Sequence, residues 1–153
     1  MILAIDPGTE QSAWVAYDPV SMAIHKRDVA INDVVLWRVG TWPKKHEYTL
    51  VIESVESYGM PVGREVFETV FWSGRFAEAW QGSFERLPRR EVKLHLCNSA
   101  RAKDSNIRQA LLDKFPRTGG GKTPQIGTKA QPGPLYGVSK DIWSALAVAV
   151  TWA

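Results

Sequence analysis

Three acids stand where a folded chain can bring them together. Asp6 ends the apolar run Ile2–Ile5, Glu53 ends a second apolar run that starts at Tyr48, and Asp141 falls in the first turn of the expected last helix. The strand ends of an α/β sheet are where ligands bind. A carboxylate that closes a buried run is costly unless it is paired or metal-bound. Converging carboxylates without Cys or His partners suit a hard, oxygen-preferring ion, Mg²⁺ with Mn²⁺ as its substitute. Taken singly, Asp6 before Pro7-Gly8 also fits turn chemistry, and Asp141 fits a helix-dipole partner. Taken together, beside a basic segment, they favour a metal site.

That basic segment emerges from the charge distribution. The net charge of +3 hides a division: residues 1–85 hold 7 Lys/Arg against 12 Asp/Glu, and residues 86–129 hold 11 against 3. Such asymmetry points to a polyanion gripped by one part while carboxylates in the other do the chemistry. The remaining composition narrows the class. With 153 residues, 44% hydrophobic and 23% charged, the chain fits one globular domain. No apolar run approaches a membrane span of ~18 residues. Met1–Asp6 lacks the basic start of a signal peptide. Cys97 is the single cysteine, and His25, His46 and His95 are scattered, which excludes a disulfide framework and zinc spacing. A cytoplasmic protein is expected, of a bacterium or a phage-infected host.

The elements that must position the acids follow from periodicity. Strands are expected over 2–5, 12–17 and 22–31, forming an antiparallel meander, then over 48–53 and 91–97. Val92, Leu94 and Leu96 alternate with Lys93 and His95 in the last of these. Helices are expected over 33–39 with Asn32 as N-cap, 62–81 with a stripe of Val66, Val70 and Phe76, 104–115, and 139–152. A short helical stretch is expected to open at Asn98 or Ser99. Residues 117–137, rich in Gly, Pro, Lys, Thr and Gln, read as a mobile basic loop. The order βββ–α–β–α–β–α–α makes a single mixed α/β domain over 1–153. Gly119-Gly120-Gly121-Lys122-Thr123 is not a P-loop, because Pro116 stands where the first glycine is required and no helix follows.

At these residues the chain resembles a family. Ile2-Leu3-Ala4-Ile5-Asp6-Pro7-Gly8-Thr9 is similar to the opening of RuvC-type Holliday junction resolvases, within the RNase H-like superfamily. Leu50-Val51-Ile52-Glu53 is similar to that family's fourth-strand motif, and Ser144-Ala145-Leu146-Ala147-Val148-Ala149 to its final helix. Ser99-Ala100-Arg101-Ala102-Lys103 resembles the stretch before its penultimate helix. Small RuvC-like proteins of bacteriophages are the nearest in character. The resemblance implies an RNase H-like fold, a mixed five-stranded sheet flanked by helices. It also implies a Mg²⁺-dependent DNA endonuclease that resolves four-way junctions as a homodimer. Asp6, Glu53 and Asp141 would hold two ions roughly 3.5–4 Å apart for in-line hydrolysis of a phosphodiester. One departure is plain: the family has two ligands three residues apart in the last helix, and here Asp141 is followed by Ser144.

Arg101, Lys103 and Arg108 flank an expected helix start and can hold phosphates, Lys103 at a position the resemblance makes basic. Lys122 and Lys129 lie on the 117–137 loop, and Tyr58 can stack on an unpaired base or pack at its turn. The face of the 62–81 helix around Phe67, Phe71 and Trp72 is the expected dimer surface. Two other readings stand beside the resolvase: a YqgF-type RNA-processing nuclease, and a branched-DNA-binding protein whose catalysis is lost, motivated by Ser144. An actin-like ATPase is excluded by length.

Overall fold

The computed structural model describes all residues, 1–153. Strands β1 (Ile2–Asp6), β2 (Gln11–Asp18) and β3 (Ala23–Ile31) are joined by tight turns. Helix α1 (Asn32–Gly40) and one 3₁₀ turn lead to β4 (Thr49–Ser54), and α2 (Arg64–Trp80) leads to β5 (Phe84–Pro88). Helices α3 (Arg89–Cys97), α4 (Asp104–Lys114) and α5 (Ile142–Trp152) follow. The sheet order is β3-β2-β1-β4-β5. The first three strands pair antiparallel, while β1 with β4 and β4 with β5 pair parallel. This is the expected mixed five-stranded sheet flanked by helices.

The period-2 pleat divides the core in two. Ile2, Ala4, Ala13, Val15, Tyr17 and Val51 point to the face covered by α3, α4 and α5. Leu3, Ile5, Trp14, Ala16, Leu50 and Ile52 point to the opposite face, under α1 and α2. The central strands β1 and β4 are covered on both sides, which is why their sequences are continuously apolar. Asp6 shares parity with Ile2 and Ala4, and Glu53 with Val51. Both acids therefore belong to the α5 face.

Four expectations are corrected. The strand expected over 91–97 is helix α3: Val92 and Leu96 are fully or nearly buried, but Leu94 between them is 41% exposed. Alternating apolar residues at i, i+2, i+4 satisfy a helix as well as a strand when only i and i+4 face inward. The fifth strand lies earlier, at Phe84–Pro88, where Leu87 alone is buried because the strand forms the sheet edge. Nor does a helix open at Asn98 or Ser99: Asn98, at φ 53°, ends α3 in the left-handed conformation that Asn tolerates. On α2 the buried line is Thr69, Phe76 and Trp80, whereas Val70 is 48% exposed. Val66, half-buried three residues before Thr69, stays on this line, and Val70 leaves it. Finally, Ile31 and not Asn32 precedes α1, and Asn32 does other work described below.

Residues 117–137 also differ from the unstructured segment their composition suggests. Backbone bonds cross the loop from Gly119 to Pro124 (2.8 Å), Gly120 to Gln131 (2.9 Å), Gly133 to Ile126 (2.9 Å) and Leu135 to Gln125 (2.8 Å). Gln125 Nε2 donates to the Leu112 carbonyl of α4 at 2.9 Å, and Leu135 is fully buried in the α-helical core. Gly127, at φ 77°, touches the backbone of Gln131 and Gly133, so the glycines permit a close crossing that side chains would block.

Candidate active site

Parallel pairing fixes the first two acids. Ala4 aligns with Val51 and Ile5 with Ile52, so the next pair in register is Asp6 and Glu53, side by side at the C-terminal ends of β1 and β4. Helix α5 packs across β1, β2 and β4. Its cap residue Asp141 and, one turn on, Ser144 face these carboxylates. The Ser144 hydroxyl lies close enough to the Asp6 carboxyl to favour its charged form, while the charges of Glu53 and Asp141 both oppose it. Desolvation first, then the Glu53 charge, pushes the Asp6 carboxyl up to about 8. Burial likewise raises Glu53, opposed by the guanidinium of Arg89.

The turn that follows Asp6 is held from beneath. Ser12 Oγ donates to Asn32 Oδ1 at 2.6 Å, Asn32 Nδ2 donates to the Gly8 carbonyl at 2.9 Å, and the Gly8 amide donates to Ser12 Oγ at 3.1 Å. A Cβ at position 8 would collide with the Gln11 carbonyl, so glycine is required there. Asn32→Ala would leave the buried Ser12 hydroxyl and Gly8 carbonyl without this partner. It is expected to cost ~1–3 kcal/mol in a urea unfolding curve.

Arg89, Arg90 and Lys93 were not anticipated. Arg89 Nη1 lies 3.2 Å from Glu53 Oε2, and its Nη2 lies 2.6 Å from Asp104 Oδ1. Lys93 sits one helical turn along and its charge also reaches Glu53. With Tyr58 and Ala100, these three line a cleft beside the carboxylates. Their signal was the basic segment itself, but a strand reading of 91–97 leaves Arg89 and Arg90 outside the element, whereas helix α3 carries Arg89 and Lys93 one turn apart on one face. Among the expected phosphate contacts, Tyr58 is in this cleft and Lys103 directly precedes α4, next to the Asp104 that holds Arg89. Arg101 is exposed in the turn before it. Arg108 stacks on Trp143 of α5, 4.9 Å from the ring centroid. Lys122 and Lys129 are exposed on the 117–137 loop and joined to the carboxylates by no ion pair or hydrogen bond.

Asp6, Glu53, Asp141 and the Ser144 hydroxyl form an all-oxygen donor set, and the strained Asp6–Glu53 pair invites a cation. By chemistry the set fits a hard divalent ion. The acids are neighbours without converging on one point: no three His, Cys, Asp or Glu side chains stand in the geometry of a metal shell. No helix is long and apolar enough to cross a membrane.

No protein-family profile matches the chain, and no curated protein resembles it at significant similarity. Solved structures do. Thermus thermophilus RuvC superposes with a TM-score of 0.65 at 15% identity, covering 98% of this chain and 91% of that one. The T. thermophilus RuvC in complex with a Holliday junction substrate superposes with a TM-score of 0.66 at 14% identity, covering 98% and 90%. From the order of its strands to its last helix, this chain has the fold of a RuvC-type resolvase.

Proposed function

We propose that the chain is a metal-dependent, structure-selective DNA endonuclease that cuts branched DNA such as four-way junctions. The observation that carries the reading is the register of β1 on β4, which sets Asp6 beside Glu53 at the strand ends, facing Asp141. The fold shared with a RuvC solved on a Holliday junction substrate supports it.

Asp6, Glu53 and Asp141 would hold Mg²⁺, or Mn²⁺ in its place, with the Ser144 hydroxyl beside Asp6. When bound, the metal supplies an activated water and stabilises the leaving oxygen. The protein's own contribution is positioning. The amino ends of α3, α4 and α5 gather at one edge of the sheet, where helix dipoles favour phosphate. Arg90, Lys93, Lys103 and Arg101 supply cations for the backbone of the DNA, and Tyr58, 56% exposed, offers a ring for an unpaired base. Symmetric cleavage of a junction requires two copies. Phe67 and Phe71, 65% and 60% exposed on α2, with Val70 beside them, offer the apolar face such a pair would bury.

The test is nicking of a synthetic four-way junction by the purified chain. Cleavage is expected with Mg²⁺ and none with EDTA, with linear duplex of the same sequence spared and a dimer seen in sedimentation. Tight junction binding without any metal-dependent nicking overturns the nuclease and leaves the second reading, a branched-DNA-binding protein, which Ser144 in place of a second helix acid favours. Preference for structured RNA over junction DNA would point to the RNA-processing alternative.

A further inference from the structure

Arg89 spans two unequal sites. Its inner contact, Glu53, has a side chain only 12% exposed, whereas its outer contact, Asp104, is 86% exposed. The Arg89 side chain is 25% exposed. The inner pairing therefore offsets a desolvated carboxylate, and the outer one is a solvated contact at the mouth of the site. Glu53 Oε2, the atom facing Arg89, belongs to a residue needed for metal. A guanidinium and a divalent ion held on the same carboxylate repel one another and compete for its charge. Moving Arg89 away from Glu53 would relieve that repulsion. Asp104 is placed to keep the displaced guanidinium at the rim, beside Arg90 and Lys93 in the cleft.

We propose that Arg89 is an internal competitor for the metal: it pairs with Glu53 in the metal-free protein, yields to a divalent cation, and is retained by Asp104 facing the DNA phosphates. The inference rests on the nuclease reading, because it assumes that Glu53 holds metal. Arg89 acts through Glu53 and is a positioning residue. A phosphate that engages the released guanidinium favours metal binding, so DNA and metal assist one another by linkage.

The experiment is Mn²⁺ titration by calorimetry of the full chain without DNA, at ~0.15 M salt, where exposed charges are screened. Arg89→Gln is expected to bind Mn²⁺ about tenfold tighter than the unsubstituted chain. Asp104→Asn leaves Arg89 committed to Glu53 and is expected to weaken binding several-fold. Adding Asp104→Asn to Arg89→Gln should then have little further effect, because the two act through one contact. Equal affinity of the unsubstituted and Arg89→Gln chains overturns the competitor role, as does an Asp104→Asn effect of the same size in both backgrounds. If Arg89→Gln fails to fold, Arg89→Lys serves. It keeps the charge but cannot bridge two carboxylates, so Asp104→Asn should lose its effect there too, and persistence of that effect overturns the proposal. The two readings fail differently. Mn²⁺ binding that Asp6→Asn abolishes and Arg89→Gln leaves unchanged sinks the competitor alone, whereas no binding by any variant sinks both.

Discussion

Asp6→Asn is expected to lose at least ~10²–10³-fold in junction nicking while making the metal-free protein more stable. The two effects have one cause. Asparagine keeps the shape of Asp6 but brings no charge to the strand end. The carboxyl of Asp6 is raised to about 8 in the folded protein from an ordinary value of 3.8. Between these values the folded state holds a proton that the unfolded chain releases. Stability therefore falls as pH rises from about 4 to about 8 and levels off above that. The substitution removes the decline. The gain should be absent below pH 4 and largest at pH 8 and above, at least ~2 kcal/mol, or about 5 °C in Tm for a chain of this size. Melting curves at pH 4 and pH 8 in EDTA, set beside nicking assays, check both halves. A variant that nicks at the unsubstituted rate overturns the assignment of Asp6. One that melts lower at pH 8 denies that the carboxylate is held there at a cost.

That tension explains which parts of the site could be read before the fold. Asp6 and Glu53 stood out because each ends a run buried on both faces of the sheet, where a charge breaks an otherwise apolar pattern. Strand parity then places them on one face without further information. Asp141 was visible from the apolar helix it precedes. The place of Ser144 beside Asp6 was not, since proximity between residues 138 positions apart leaves no local trace. Arg89, Arg90 and Lys93 were hidden by a particular ambiguity. Val92, Leu94 and Leu96 alternate as a strand does, and only the exposure of Leu94 reveals the helix. The true edge strand, Phe84–Pro88, buries one residue and so carries almost no hydrophobic signal. Placing the strand too late moved the basic residues out of the site.

The loop from 117 to 137 yields the second large effect. Its composition is that of a chain with too little apolar surface to order itself, yet Leu135 is fully buried among residues of α4, α5 and the sheet. One anchor of this kind can fix a loop whose own backbone already closes through four crossings. Leu135→Ala removes that anchor and leaves a cavity in the core, expected to cost ~2–5 kcal/mol, a large share of the ~5–15 kcal/mol that holds a domain of this size. Trypsin gives a readout specific to the loop, because Arg117, Lys122 and Lys129 offer cleavage points within it. The unsubstituted chain should resist nicking there under native conditions, and Leu135→Ala should be cut at these residues faster than elsewhere. A chain already cut rapidly at Lys122 and Lys129 would mean that the crossings do not hold the loop. If the loop is held, any contribution of Lys122 and Lys129 to DNA binding comes from a fixed surface, and Leu135→Ala should weaken junction binding along with the loop.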